Sequence, residues 1–210
     1  MAKKSIYAFI DASNLFYGGE KSLGWKIDYK KLIHYIKKQY KVSKVYYYGG
    51  VETDGFDYSV LDKKPLNLNS LVSHLRRKLK QKRLPEATIV ILGKHIQRVK
   101  FYRKLAEFGY TLRLKPVKIY RDEAGKTTKK ANCDVDMTFD LMRLFNEYSG
   151  VLILSGDGDF AVVLKYLKEK GKKVTILARG ERTAREIRQL VGGDFRDFSK
   201  LRTKLEFFKK

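Results

Sequence analysis

Two carboxylates follow a short apolar run in the segment VLILSGDGDF, residues 151–160. Asp157 and Asp159 are separated only by Gly158. Carboxylates this close repel each other and cost stability unless a cation lies among them. The motif therefore predicts that the end of the preceding strand holds a positively charged partner.

Two further aspartates occupy the ends of predicted elements. Asp11 ends the apolar strand SIYAFID, and Asp134 opens a helix that leads into the strand before Asp157. Parallel sheets bind ligands at the carboxyl ends of their strands. Acidic oxygen donors gathered at that edge of a basic protein suit Mg²⁺ or Mn²⁺. The histidines and Cys133 lack zinc-ligand spacing, so we predict a site for Mg²⁺ or Mn²⁺ and not for zinc.

The helix predicted over residues 134–148 carries three aspartates that its geometry separates. At about 100° per residue, Asp134 lies on the mostly apolar side that should face the sheet. Asp136 and Asp140 lie together on a polar stripe of the kind that faces solvent. We therefore predict Asp134 as a site residue and Asp140 as an outer one.

Strands and helices alternate along the chain at the spacing of crossover units. The predicted strands are 5–11, 44–52, 87–94, 110–120, 151–154 and 173–178, and the predicted helices are 28–40, 68–82, 99–109, 134–148, 160–171 and a stretch from about 183. This order favours a three-layer α/β/α fold with a mainly parallel central sheet. We predict one domain over residues 1–210, with additional material around residues 54–98.

The charge of the chain indicates a polyanionic partner. Lysine and arginine number 46 against 23 aspartates and glutamates, a formal net charge of +23. Such a surface attracts nucleic acid, although a basic surface that is merely solvated is the alternative. The basic residues cluster at 76–83, 126–130 and 170–173.

The sequence predicts a cytoplasmic protein without a membrane partner. It has no apolar run of transmembrane length, and the apolar stretch after its basic start is too brief for a signal peptide. Its single cysteine, Cys133, excludes an internal disulfide and fits a reducing compartment.

Three segments together resemble the NYN domain, in the bacterial LabA-like branch related to the PIN-domain nucleases. They are FIDASNLFYG (9–18), KKANCDVDMTFDLM (129–142) and LSGDGDF (154–160) with the later GKKVTIL (171–177). The resemblance implies a PIN-like fold and a metal-dependent ribonuclease that cleaves phosphodiester bonds, with endonucleolytic cleavage expected. It implies that Mg²⁺ or Mn²⁺ binds the catalytic residues Asp11, Asp134, Asp157 and Asp159, supported by Asn14 and Ser155.

The resemblance also implies RNA as the partner, with DNA as the alternative. We expect the contacts to include basic residues of two clusters, Arg76, Arg77, Lys80, Lys129 and Lys130. One departure from the family is Gly158, where a serine is common, and we expect a looser turn there. Whether the chain forms a homo-oligomer is left open.

Two other functions remain as alternatives. One is an RNA-binding adaptor whose acidic cluster is not catalytic. The other is a phosphohydrolase of the haloacid dehalogenase type, whose second aspartate would stand two residues after Asp11, where this chain has Ser13. A dinucleotide-binding protein is disfavoured because no G-x-G-x-x-G motif follows the first strand.

Overall fold

A parallel sheet forms the centre of the computed structural model, which describes residues 5–16, 21–61, 64–121 and 127–208. Its strands are β1 (Ile6–Asp11), β2 (Val42–Val51), β3 (Thr111–Pro116), β6 (Gly150–Leu154), β7 (Lys173–Ala178) and β8 (Phe195–Asp197). Within the described ranges the sheet has six strands in the order β3-β2-β1-β6-β7-β8, and all neighbours are parallel. β4 (Lys118–Arg121) and β5 (Thr127–Lys130) form a separate antiparallel pair.

Helices connect these strands. They are α1 (Ala12–Asn14), α2 (Lys21–Leu23), α3 (Tyr29–Tyr40), α4 (Leu68–Leu79), α5 (Glu86–Phe108), α6 (Asp134–Arg143), α7 (Ala161–Glu169), α8 (Arg185–Val191) and α9 (Arg202–Leu205). Short 3-10 turns occur at Phe145–Glu147, Gly158–Phe160, Gly180–Arg182, Gly192–Asp194 and Phe198–Leu201. No helix in the described part of the chain combines the length and apolar character needed to cross a membrane.

Side chains of the central strands alternate between two hydrophobic cores. In β1, Ala8 and Ile10 pack into the core that α3, α4, α5 and α9 cover. Tyr7 and Phe9 point the other way, into the core that α6, α7 and α8 cover. A strand buried on both faces in this way lies between two helical layers. The predicted three-layer α/β/α fold with a parallel sheet is therefore confirmed.

The connections run in opposite directions from the centre of the sheet. From β1 the chain continues outward to β2 and β3, and from β6 it continues outward to β7 and β8. β1 and β6 are neighbours, paired from Ile6 with Gly150 to Ile10 with Leu154. The point where strand order reverses leaves a crevice at the carboxyl ends of the strands. Asp11 lies at that crevice.

The strand predicted over residues 87–94 is wrong, because this segment is the first part of α5. Its β-branched residues Ile89, Val90 and Ile91 are about half exposed. The buried positions Leu92, Ile96 and Val99 instead follow helical spacing, continuing the stripe of the predicted 99–109 helix. Packing of that stripe outweighs the modest cost of β-branched residues in a helix. α5 packs against α4, so the material predicted around 54–98 contributes helices to this face of the sheet.

Candidate metal centre

Asp11 connects the ends of the two central strands. Its Oδ1 accepts the backbone N–H groups of Ser13 at 2.9 Å and Asn14 at 3.2 Å, so it caps α1. Its Oδ2 accepts the hydroxyl of Ser155, which follows β6, at 3.2 Å. Burial raises the pKa of Asp11, and the charge of Asp134 adds to that rise, although the hydrogen bonds from Asn14, Ser13 and Ser155 oppose it. Asp11 and Asp134 are therefore electrostatic neighbours.

The turn after β6 is held by hydrogen bonds to both sides. The Gly156 N–H donates to Asn14 Oδ1 at 3.1 Å, and the Asp157 N–H donates to Ser155 Oγ at 3.3 Å. Asp157 Oδ1 accepts the N–H of Asp159 at 3.1 Å, which caps the 3-10 turn that follows. Asn14 and Ser155, predicted as supporting residues, thus lie where they fix the turn that carries Asp157 and Asp159.

The segment before α8 braces the same turn. The Ala184 N–H donates to the carbonyl of Gly156 at 2.9 Å. A Cβ at Gly156 would lie 2.6 Å from Thr183 Oγ1 and 2.9 Å from Thr183 Cα, so this position accepts only glycine without movement. At Gly158 a Cβ would clash with the Glu186 carboxylate, so a serine there would require the Glu186 side chain to move. The looser turn expected at Gly158 stays a prediction.

Three of the predicted acids come together in the structure. One carboxylate oxygen from each of Asp134, Asp157 and Asp159, here called the acidic group, lies within 4.8 Å of the others. Asp134 and Asp157 are partly buried and Asp159 is exposed, so the group opens to solvent. Among the residues that the structure describes, no lysine or arginine forms an ion pair with Asp157 or Asp159.

These donors fit a divalent cation. Carboxylate oxygens are the preferred ligands of Mg²⁺ and Mn²⁺. The three negative charges of the acidic group exceed the +2 charge of such an ion. Asp11 is not a member of the acidic group as the described side chains stand, and both of its oxygens already accept hydrogen bonds. It lies close enough to Asp134 for their charges to interact.

Comparison with known proteins establishes the family. The family model of the NYN domain matches residues 53–199, more than half of the chain. This chain belongs to the NYN domain family. The match includes Asp134, Asp157 and Asp159, whereas Asp11 precedes it. The predicted resemblance to the NYN domain is therefore confirmed.

One protein sequence and two crystal structures match this chain. "Low amplitude and bright protein LabA" of Synechococcus elongatus is 24% identical over 184 residues, which cover 86% of this chain and 76% of LabA. The crystal structure of VPA0982, a Vibrio parahaemolyticus protein of unknown function, matches with a TM-score of 0.58 and 17% identity over 91% of this chain and 92% of that one. This match supports the fold. The T5 D15 protein, co-crystallised with metal ions, reaches a TM-score of 0.45 at 16% identity over 88% of this chain and 59% of that one, too low to support an argument.

The outer position predicted for Asp140 is wrong. Asp140 is 5% exposed, and it accepts hydrogen bonds from Tyr48 Oη at 2.9 Å, Arg113 Nε at 2.8 Å and Arg143 Nη2 at 2.6 Å. Burial would raise the pKa of Asp140, but these three donors outweigh it and hold the pKa below its usual value. The side of α6 that faces solvent carries Val135 and Phe139 instead.

Asp140 thereby anchors α6, the helix that begins with Asp134. It joins α6 to β2 through Tyr48 and to β3 through Arg113. Asp136, one turn earlier, pairs with Lys115 of β3 at 2.7 Å and is 40% exposed. The helical pattern alone could not identify Arg113 as a partner, because it lies on a strand 27 residues away.

The basic residues predicted to contact RNA lie outside the acidic group. Arg76 and Arg77 are exposed in the last turn of α4, where cations also favour the helix dipole, and Lys80 is its exposed C-cap. Lys129 and Lys130 end β5, and their side chains fall outside the described part of the structure.

Family membership and the acidic group together indicate a nuclease.

Proposed function

We propose that this NYN domain is a metal-dependent ribonuclease that hydrolyses RNA phosphodiester bonds endonucleolytically in the cytoplasm. The observation that carries the proposal is the convergence of three carboxylates at the strand-order reversal, two of them without a cationic side chain among the described residues. Such an arrangement is costly unless a cation binds there. Nucleic acid as the substrate also accounts for a net charge of +23 around an acidic cleft.

Each acidic residue has a proposed role. Asp134, Asp157 and Asp159 would hold Mg²⁺ or Mn²⁺, and Asp11 would complete the site beside Asp134. When bound, the metal would polarise the scissile phosphate and favour deprotonation of the attacking water. Asn14 and Ser155 would keep the turn and Asp11 in register, because their hydrogen bonds join the ends of β1 and β6.

The remaining proposal concerns the approach of RNA. Arg76, Arg77 and Lys80, with Lys129 and Lys130, would bind phosphates outside the cleft. Cationic side chains there would offset the repulsion between the acidic group and the substrate backbone. The contacts need no base recognition, since phosphate binding fixes position and not sequence.

Cleavage of labelled RNA and DNA of one sequence, with Mg²⁺, Mn²⁺ or chelator, tests the proposal. We expect RNA cleavage that requires metal, and a loss of about 100-fold or more in Asp134→Asn and Asp159→Asn, since each removes a charged ligand. Asp194→Asn is the matched control. Asp194 immediately precedes β8, which β7 separates from β6, and it is not a member of the acidic group.

Thermal melts in chelator separate a lost ligand from a lost fold. Asp159→Asn should melt at or above the wild-type temperature, because it relieves repulsion within the acidic group. Cleavage of DNA but not of RNA would overturn the proposal that RNA is the substrate. Full activity in chelator would overturn the proposed metal requirement. RNA binding without any cleavage would favour the RNA-binding adaptor.

A further inference from the structure

A cavity of about 400 Å³ opens along the free edge of β3, beside α6. Its volume falls within the roughly 300–1,000 Å³ of small-molecule sites. Tyr58, Leu66 and Phe139 supply aromatic and aliphatic walls, and Leu112 and Leu114 belong to the edge strand itself. Phe139 is 62% exposed, and the Arg143 guanidinium lies over its ring at 5.9 Å from the centroid, so a stacked ligand would share the ring with Arg143.

Two of the three cations on the cavity wall are neutralised within the protein, whereas the third, Lys64, forms no ion pair among the described residues. Arg113 pairs with Asp140 at 2.8 Å, and Lys115 pairs with Asp136 at 2.7 Å. A phosphate would have to compete with these carboxylates, whereas a neutral planar group that forms hydrogen bonds would not. β3 also ends the described sheet, and an edge strand leaves part of its backbone N–H and C=O groups without a strand partner. These groups can bond the polar edge of a planar ligand.

The cavity lies close to the acidic group. Asp136 lines it, while Asp134, two residues earlier on α6, belongs to the acidic group. Helix geometry places Cα atoms two residues apart at about 5–6 Å, although the two side chains point about 200° apart around the helix. Asn132 connects the acidic group to the cavity wall. Its Oδ1 accepts a hydrogen bond from the Asp134 N–H at 2.8 Å, and its carbonyl accepts one from Lys115 Nζ at 3.2 Å.

We propose that this cavity binds a base of the nucleic-acid strand next to the scissile phosphate, with the base stacked on Phe139. The inference deepens the proposed nuclease function and rests on it for the identity of the ligand. Unpaired bases stack on aromatic side chains and expose their polar edges to hydrogen-bonding groups. The cavity thereby selects a single-stranded substrate, because a base within a duplex cannot enter it.

Binding in chelator tests the cavity separately from cleavage. The probes are a fluorescently labelled single-stranded RNA octamer and an octamer of the same length whose sugars carry no bases. Phe139→Ala should bind the first about 5- to 30-fold more weakly than wild type, the lower part of the range for stacking on one aromatic residue. It should bind the abasic octamer as wild type does, and Phe139→Tyr should restore binding.

Phe208→Ala is the matched control, because Phe208 is the same residue type at 64% exposure and does not line the cavity. Equal affinities of Phe139→Ala and Phe208→Ala for the base-containing octamer would overturn the cavity proposal and leave the nuclease proposal intact. A Phe139-dependent affinity without any cleavage would support the cavity and overturn the nuclease. Failure of the wild type to bind either octamer would overturn the cavity proposal and favour a protein partner for the cavity, whereas the cleavage assay with metal decides the nuclease proposal.

Discussion

Replacing Asp140 by asparagine should lower the free energy of unfolding by about 2–3 kcal/mol at neutral pH. Removing one partner of a buried ion pair costs about 3–5 kcal/mol, because the remaining charge is left uncompensated. Here the value is smaller for two reasons. Arg113 and Arg143 are 38% and 46% exposed, so water can solvate them once the carboxylate is gone. Asparagine also keeps one oxygen that can accept a hydrogen bond from Tyr48.

The effect of Asp140 should depend on pH in a defined direction. The folded protein holds the pKa of Asp140 below its ordinary value, so the carboxylate binds its proton more readily when unfolded. Its stabilisation is fully present above the unfolded pKa of about 3.9 and is lost as pH falls through the folded pKa. The difference between wild type and Asp140→Asn should therefore shrink below about pH 4.

Urea denaturation followed by circular dichroism at neutral and acid pH measures this difference. Asp136→Asn is the control on the same helix, because its ion pair with Lys115 is partly exposed and such pairs contribute about 0.2–1 kcal/mol. Equal losses in Asp136→Asn and Asp140→Asn would refute the argument from burial. So would a loss in Asp140→Asn that grows toward acid pH.

Two other predictions address RNA binding and the helical assignment of residues 87–94. Combined replacement of Arg76, Arg77 and Lys80 by glutamine should reduce the slope of log affinity against log salt by about 2 for single-stranded RNA, since each phosphate contact contributes about 0.7. The matched control replaces Lys30, Lys37 and Lys38 on α3. If that control reduces the slope instead, RNA binds along α3. Gly93→Ala should raise the free energy of unfolding by about 0.5–1 kcal/mol in urea titrations, because Gly93 lies within α5 and a Cβ there meets no atom within 4 Å. A loss of stability in Gly93→Ala would contradict the helix.

The position of the acidic residues could be predicted because it depends on local signals. Apolar runs that stop at Asp11 and before Asp157 mark strand ends, and parallel strands bring such ends to one edge. Strand ends are properties that neighbouring residues fix. The pairing of β1 with β6 joins distant segments, and the alternation of elements does not determine it.

Two failures share one physical cause. The burial of Asp140 depends on Arg113 from another element, and the helix at 87–94 depends on packing against α4. Neither partner is adjacent in sequence, so periodicity within one segment could not reveal it. Asp140 in particular lies at the border of the buried face, where a carboxylate is stable only because cations from β3 and from its own helix meet it.

The pairing of β1 with β6 also sets the order in which the site can form during folding. Ile6 pairs with Val42 in β2 and with Gly150 in β6. The sequence separation of the second pair is four times that of the first. Each doubling of loop length costs about 0.6 kcal/mol of closure entropy, so the central pairing costs about 1.2 kcal/mol more than the first. β1 to β3 can assemble without it, and so can β6 to β8. Asp11 and the turn carrying Asp157 meet only when these two halves join, so Asp11 reaches the acidic group only through that pairing.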